Sequence, residues 1–131
     1  MKVKGWTRTP RRGFTLIEML VVMATLGLLL AIAAPRYVEH IDRARDSVLK
    51  QNLRSLRDAI DKFYSDRARY PSGLDELVQQ RYLREVPLDP VTDRRDSWKL
   101  VPPSGQAASA VMDVQSGATG VAMDGSAYAG W

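Results

Sequence analysis

The chain contains no cysteine, so it can form neither a disulfide nor a thiolate metal site, and thiols say nothing about its compartment. It has one histidine, His40. That leaves little scope for a zinc site built on imidazoles or for a Ser/His/Asp triad; a lone histidine in a helical pattern reads as a solvated side chain. The sequence also lacks a Gly-rich phosphate loop and a recognisable nucleophile–base pair, which argues against an enzyme. Internal repeats and low-complexity segments are missing. Acid is absent from the first thirteen positions, which hold Lys2, Lys4, Arg8, Arg11 and Arg12. The formal charge of +4 and the pI near 9.6 belong to that stretch, because residues 14–131 carry 14 basic against 15 acidic groups. So even a remainder weakens any nucleic-acid-binding reading, and Arg94 and Arg95 read as a solvated turn before they read as a basic patch.

What is present is strongly segmented. Residues 1–13 are polar and basic, with Pro10 and Gly13 as breakers, and read as a short cytoplasmic tail. From Phe14 to Ala34 there are 21 residues with a single charge, Glu18; a helix of that length spans roughly 31 Å, one bilayer crossing. Two readings of this stretch compete. One is a cleavable secretory signal ending at Ala31-Ile32-Ala33. The other is a retained membrane helix, favoured because the apolar run exceeds the usual ~7–15 residues of a signal and carries a carboxylate near its start.

The helical pattern continues past the membrane edge. Ile41, Ala44, Val48, Leu49, Leu53, Leu56, Ile60 and Phe63 recur at spacings of three and four. Asp42, Arg43, Arg45, Asp46, Lys50, Arg54, Arg57, Asp58 and Asp61 fill the wet face between them. Only Pro35 interrupts the stretch from Phe14 to about Arg67, so the spacing predicts one helix of ~80 Å with a bend at the proline. A coiled coil is disfavoured, since fewer than four heptads are present.

Tyr70-Pro71-Ser72-Gly73 ends that helix, and Ser72 followed by Asp75 and Glu76 is a cap for a second, short one burying Leu74, Leu77, Val78 and Tyr82. Beyond Pro87, Pro90 and the charged turn 92–96, three strands are predicted: Ser97–Val101, Ala110–Gln115 and Gly120–Met123. Gln106–Ala110 reads as a mobile loop. Three strands this short need a helix to pack on, so the predicted fold is α+β: a long N-terminal helix on a small antiparallel sheet of about three strands. The chain divides into 1–13, 14–34, 35–67 and 68–131: leader, membrane helix, amphipathic continuation and small globular part.

The stretch Arg11-Arg12-Gly13-Phe14-Thr15-Leu16-Ile17-Glu18, running into the apolar segment, resembles the processing signature of type IV pilins and type II secretion pseudopilins. Tyr70-Pro71, Pro87-Leu88-Asp89-Pro90, Trp98, Asp113-Val114-Gln115-Ser116-Gly117, Asp124-Gly125-Ser126 and Trp131 resemble the major pseudopilin and its short relatives. The resemblance implies a prepilin peptidase that cuts between Gly13 and Phe14 and methylates the new amine of Phe14. It implies an inner-membrane anchor with the globular part in the periplasm, other pilin or pseudopilin subunits as partners, and an inner-membrane assembly platform. Glu18 is implied to register with the terminal amine of a neighbouring subunit, and Gly27 and Pro35 to mark helix that melts in assembly. Calcium is implied at Ser116, Asp124 and Ser126, with Asp113 as helper, although the loop is short and poor in acid; the same residues also serve as plain turn formers, with Tyr128 and Trp131 covering the helix or sheet edge.

The functions expected are a structural pseudopilus subunit or, mechanically alike, a minor pilin of a surface filament for adhesion, motility or DNA uptake; lack of a cysteine pair favours the first. The contrasting class is a secreted globular protein behind an ordinary signal.

Overall fold

The computed structural model describes residues 1–3, 5, 10, 12–105 and 109–131. Lys4, Arg8 and Arg11 of the basic leader, and most of the loop expected at Gln106–Ala110, lie outside the described residues. Contacts divide the chain into two compact units, Met1–Val38 and Glu39–Trp131.

Helix α1 spans Leu16–Arg67 without a break, with Pro35 inside it. Proline supplies no amide to the carbonyl four residues earlier, so the ladder has a gap at Ala31. The C-terminal end follows from Ala68, which takes a left-handed φ of 52° and donates its amide to the Tyr64 carbonyl; a non-glycine residue in that conformation cannot continue a right-handed helix.

In the second unit the buried face of α1 is Leu49, Leu53, Leu56, Ala59, Ile60 and Phe63, joined by Asp46. Helix α2, Leu74–Gln79, adds Leu74 and Leu77, and the downstream chain adds Trp98, Val111 and Val114 to the same cluster. Val78 is half-buried, and Tyr82, half-buried too, packs against the cluster. Each fully buried Leu or Phe contributes ~1.5–3 kcal/mol, and the cluster is what allows so little strand to be ordered.

Three expectations are corrected. Ala44 and Val48 lie on the exposed side of α1, while Asp46, expected on the wet face, is buried. Ser72 does not cap α2 with its side chain: the N-cap is Gly73, and Glu76 instead reaches back to accept from the Ser72 amide at 2.7 Å and its hydroxyl at 3.0 Å. The sheet has two strands, β1 (Lys99–Val101) and β2 (Asp113–Gln115), antiparallel with Leu100 opposite Val114. The expected third strand folds back on itself, with a single bridge from Val121 to Ala127. Gly120 at φ +112° and Gly125 at φ +85° turn the backbone on either side of it, so no straight run remains to pair with β2.

Candidate functional site

Gly13 and Phe14 precede α1 in non-helical backbone. Phe14 is 79 % exposed, and no atom lies within 4 Å of where a side chain on Gly13 would begin. The helix starts where it does because of a reciprocal cap: Thr15 Oγ1 accepts the Glu18 amide at 3.2 Å, and the Glu18 carboxylate faces the Thr15 amide at 3.5 Å. Glu18 thus sits in the first turn, where the amide dipoles favour an anion. Arg12, Gly13, Phe14 and Glu18 line one open cleft. The peptide bond expected to be cut and the carboxylate expected to meet its product are therefore brought together.

From Leu16 to Val38 every side chain of α1 is exposed within its unit, and this is the one helix among the described residues long and apolar enough to cross a membrane. Such a surface is not stable in water and needs lipid or neighbouring helices. The Thr25 hydroxyl, in the middle of the run, is satisfied locally, 2.9 Å from the carbonyls of Val21 and Val22. Gly27 and Pro35 both lie in this helix, with no atom near the glycine.

The residues expected at a metal are dispersed. Ser116, fully buried, donates its hydroxyl to Asp89 at 2.8 Å and accepts the Ala118 amide at 3.1 Å. Asp113 accepts from Arg57 Nε at 2.8 Å and from the Val114 amide. Only Asp124 and Ser126 come together: one carboxylate oxygen of Asp124 accepts from the Ser126 amide and hydroxyl, and the other faces Lys50 Nζ at 3.2 Å. Those Ser126 bonds, with Lys50, hold the Asp124 carboxyl down at about 2.

Two residues that sequence reasoning passed over organise this end of the molecule. Asp46 accepts the Met123 amide at 2.9 Å and the Tyr128 hydroxyl at 2.6 Å; hydrogen bonding to that carboxylate pushes the Tyr128 phenol up to about 12. Asp89, also fully buried, accepts the amides of Val91 and Thr92 as well as the Ser116 hydroxyl. A signal for Asp46 existed: positions 46, 49, 53, 56, 60 and 63 keep the three–four spacing, which places it in phase with the core. Arg94 and Arg95 are each matched by a carboxylate, Asp96 at 2.7 Å and Glu85 at 2.9 Å, and His40 is exposed.

The prokaryotic N-terminal methylation motif matches residues 8–34, which contain that cleft and the apolar run. The type II secretion system core protein G of Pseudomonas aeruginosa is 33% identical over 99 residues, covering 63% of this chain and 70% of that protein. The same-named protein of Klebsiella michiganensis is 30% identical with the same coverage. The type IV major pilin protein PilA of Myxococcus xanthus is 41% identical over 66 residues, half of this chain but 30% of that pilin. No solved structure matches. One long apolar N-terminal helix, a small antiparallel sheet, the methylation motif and these relatives agree: the chain is a pilin-like filament subunit and belongs to the type IV pilin and type II secretion pseudopilin family.

Proposed function

We propose that this chain is a structural subunit of a type II secretion pseudopilus, without catalytic activity of its own. A prepilin peptidase cuts between Gly13 and Phe14 and methylates the amine of Phe14. The chain is held in the inner membrane by α1, its globular part in the periplasm, until an assembly platform lifts it into a filament of like subunits. The observation that carries this reading is the cleft where Glu18 lies beside the exposed Gly13–Phe14 bond, directly ahead of the exposed apolar first half of α1.

A carboxylate within hydrocarbon costs on the order of 2.5–3.5 kcal/mol. Cleavage creates the nearest cation able to offset that, the Phe14 amine, on the same chain or on a neighbour. An ion pair away from water adds little net attraction but penalises misalignment, since slippage leaves two buried charges alone. Glu18 thereby sets the axial register of subunits. Gly27 and the amide gap at Pro35 lower helix stability between membrane and globular part, where α1 loosens as subunits pack.

The alternative, a minor type IV pilin, has support in the 41% identity to a major pilin. The core protein G matches extend over more of this chain and over 70% of those relatives, which favours the secretion role. Mass spectrometry of the mature N-terminus tests the processing: a methylated phenylalanine from position 14 is expected, whereas an N-terminus near Ala34 rejects both filament readings in favour of an ordinary signal. Deletion of the gene separates the two filaments, with loss of secreted proteins expected and loss of surface pili alone favouring the pilin.

A further inference from the structure

We propose that Asp46 and Lys50, one turn apart on α1, form a metal-free clasp for residues 121–131, in place of the calcium that the family resemblance implies. Calcium takes six to eight oxygens, commonly including more than one carboxylate. Between Ser116 and Ser126 this chain has a single acid, Asp124, and among the described residues no three acidic or imidazole side chains gather. The other expected donors are engaged elsewhere, Ser116 with Asp89 and Asp113 with Arg57. A divalent ion at Asp124 would also meet the Lys50 ammonium, 3.2 Å from the same carboxylate, and like charges at that range repel. The donor set does not fit calcium.

The positive charge is supplied by the protein. Lys50 Nζ bridges Asp124 and the face of Trp131, 4.3 Å above the ring centroid. The Trp131 indole N–H donates to Ser126 Oγ at 2.8 Å, and that hydroxyl donates to Asp124, which closes the ring of contacts. One turn earlier Asp46 takes the Met123 amide and the Tyr128 hydroxyl, and Tyr128 meets Trp131 edge-on at 5.2 Å between centroids. Asp46 is buried and supplies the strong anchor, because losing it strands two donors. Lys50 and Asp124 are about half exposed, at 48% and 53%, so their pair is weaker and screened by salt.

Thermal unfolding of the full chain in detergent micelles, with millimolar calcium or with a chelator, tests this. The wild-type midpoint is expected to stay within about 1 °C between the two conditions, while Lys50→Met lowers it by roughly 4 °C and Lys50→Arg by less than half of that. A calcium-dependent rise of several degrees in the wild type overturns the proposal, as does a Lys50→Met chain that melts like the wild type. If Lys50→Met does not fold, the wild-type calcium comparison and Lys50→Arg decide: a Lys50→Arg midpoint lowered by the full ~4 °C or more also overturns it.

Discussion

The hydroxyl of Ser116 donates to the carboxylate of Asp89 at 2.8 Å, both residues wholly buried and 27 positions apart. The bond ties the end of β2 to the turn that follows Pro87. With the Val91 and Thr92 amides on its other oxygen, Asp89 satisfies three donors at once. Asp89→Ala strands the buried Ser116 hydroxyl and two half-buried amides and is expected to cost about 2–4 kcal/mol; Asp89→Asn, which keeps one acceptor, should cost less. Denaturant unfolding of the full chain in micelles measures both. Equal, negligible losses would show that the buried turn does not depend on this carboxylate.

Gly117 lies against the Ser97 backbone, and a Cβ there would come within 1.8 Å of the Ser97 carbonyl oxygen. Backbone cannot give way as a side-chain tip does, so Gly117→Ala should destabilise by about 2 kcal/mol or more. Gly73→Ala is the control: its backbone is extended and no atom lies within 4 Å, so only the loss of a glycine N-cap, below about 1 kcal/mol, is expected. Comparable melting of the two variants would contradict the packing at Gly117.

Glu76 is held down at about 2, first by the Arg69 guanidinium at 2.6 Å and then by the Ser72 amide. A carboxyl lowered on folding stabilises the protein above its ordinary value near 4.5 and loses that contribution as pH falls toward 2. Asp124 titrates over a similar range, from near 3.8 to about 2. The melting temperature should fall through this window, and Glu76→Gln should flatten part of the slope. An unchanged acid profile in Glu76→Gln would remove Glu76 from the account.

Tyr128 has the opposite sign. Its phenol, raised to about 12 by the bond to Asp46, stabilises the fold fully below pH 10 and loses that contribution as pH rises through 12. Tyr128→Phe should lower stability at neutral pH by about 1 kcal/mol and weaken the alkaline loss. An alkaline profile identical to the wild type would place the titrating group elsewhere.

Glu18→Ala should leave the second unit folded and cleavage after Gly13 largely intact, while incorporation into filaments is abolished or slowed. Cross-linking or electron microscopy of assembled filaments reads the outcome. Normal filaments from Glu18→Ala would remove the carboxylate from the register mechanism.

Much of this molecule was legible in local pattern. A run of apolar residues beginning at Phe14, one acid at position 18 and a three–four spacing from Leu49 to Phe63 are statements about neighbours along the chain, and α1 follows from them. The short α2 was legible for the same reason. The third strand was misread because Val121–Met123 has strand-like residues but is bounded by positive-φ turns at Gly120 and Gly125, and a bridge from Val121 to Ala127 forms instead of a ladder.

By itself the sequence determined the anchor helix, the non-helical backbone ahead of it and the face of α1 that seeks a core, since periodicity reports which side chains share a side. Tertiary structure alone decided the long-range polar partners. Asp46 meets Met123 and Tyr128 across 77 and 82 residues, and Lys50 meets Asp124 across 74. No local period encodes such pairs: they arise only when the returning chain closes on the helix and a buried donor or acceptor must be satisfied by whatever group arrives beside it.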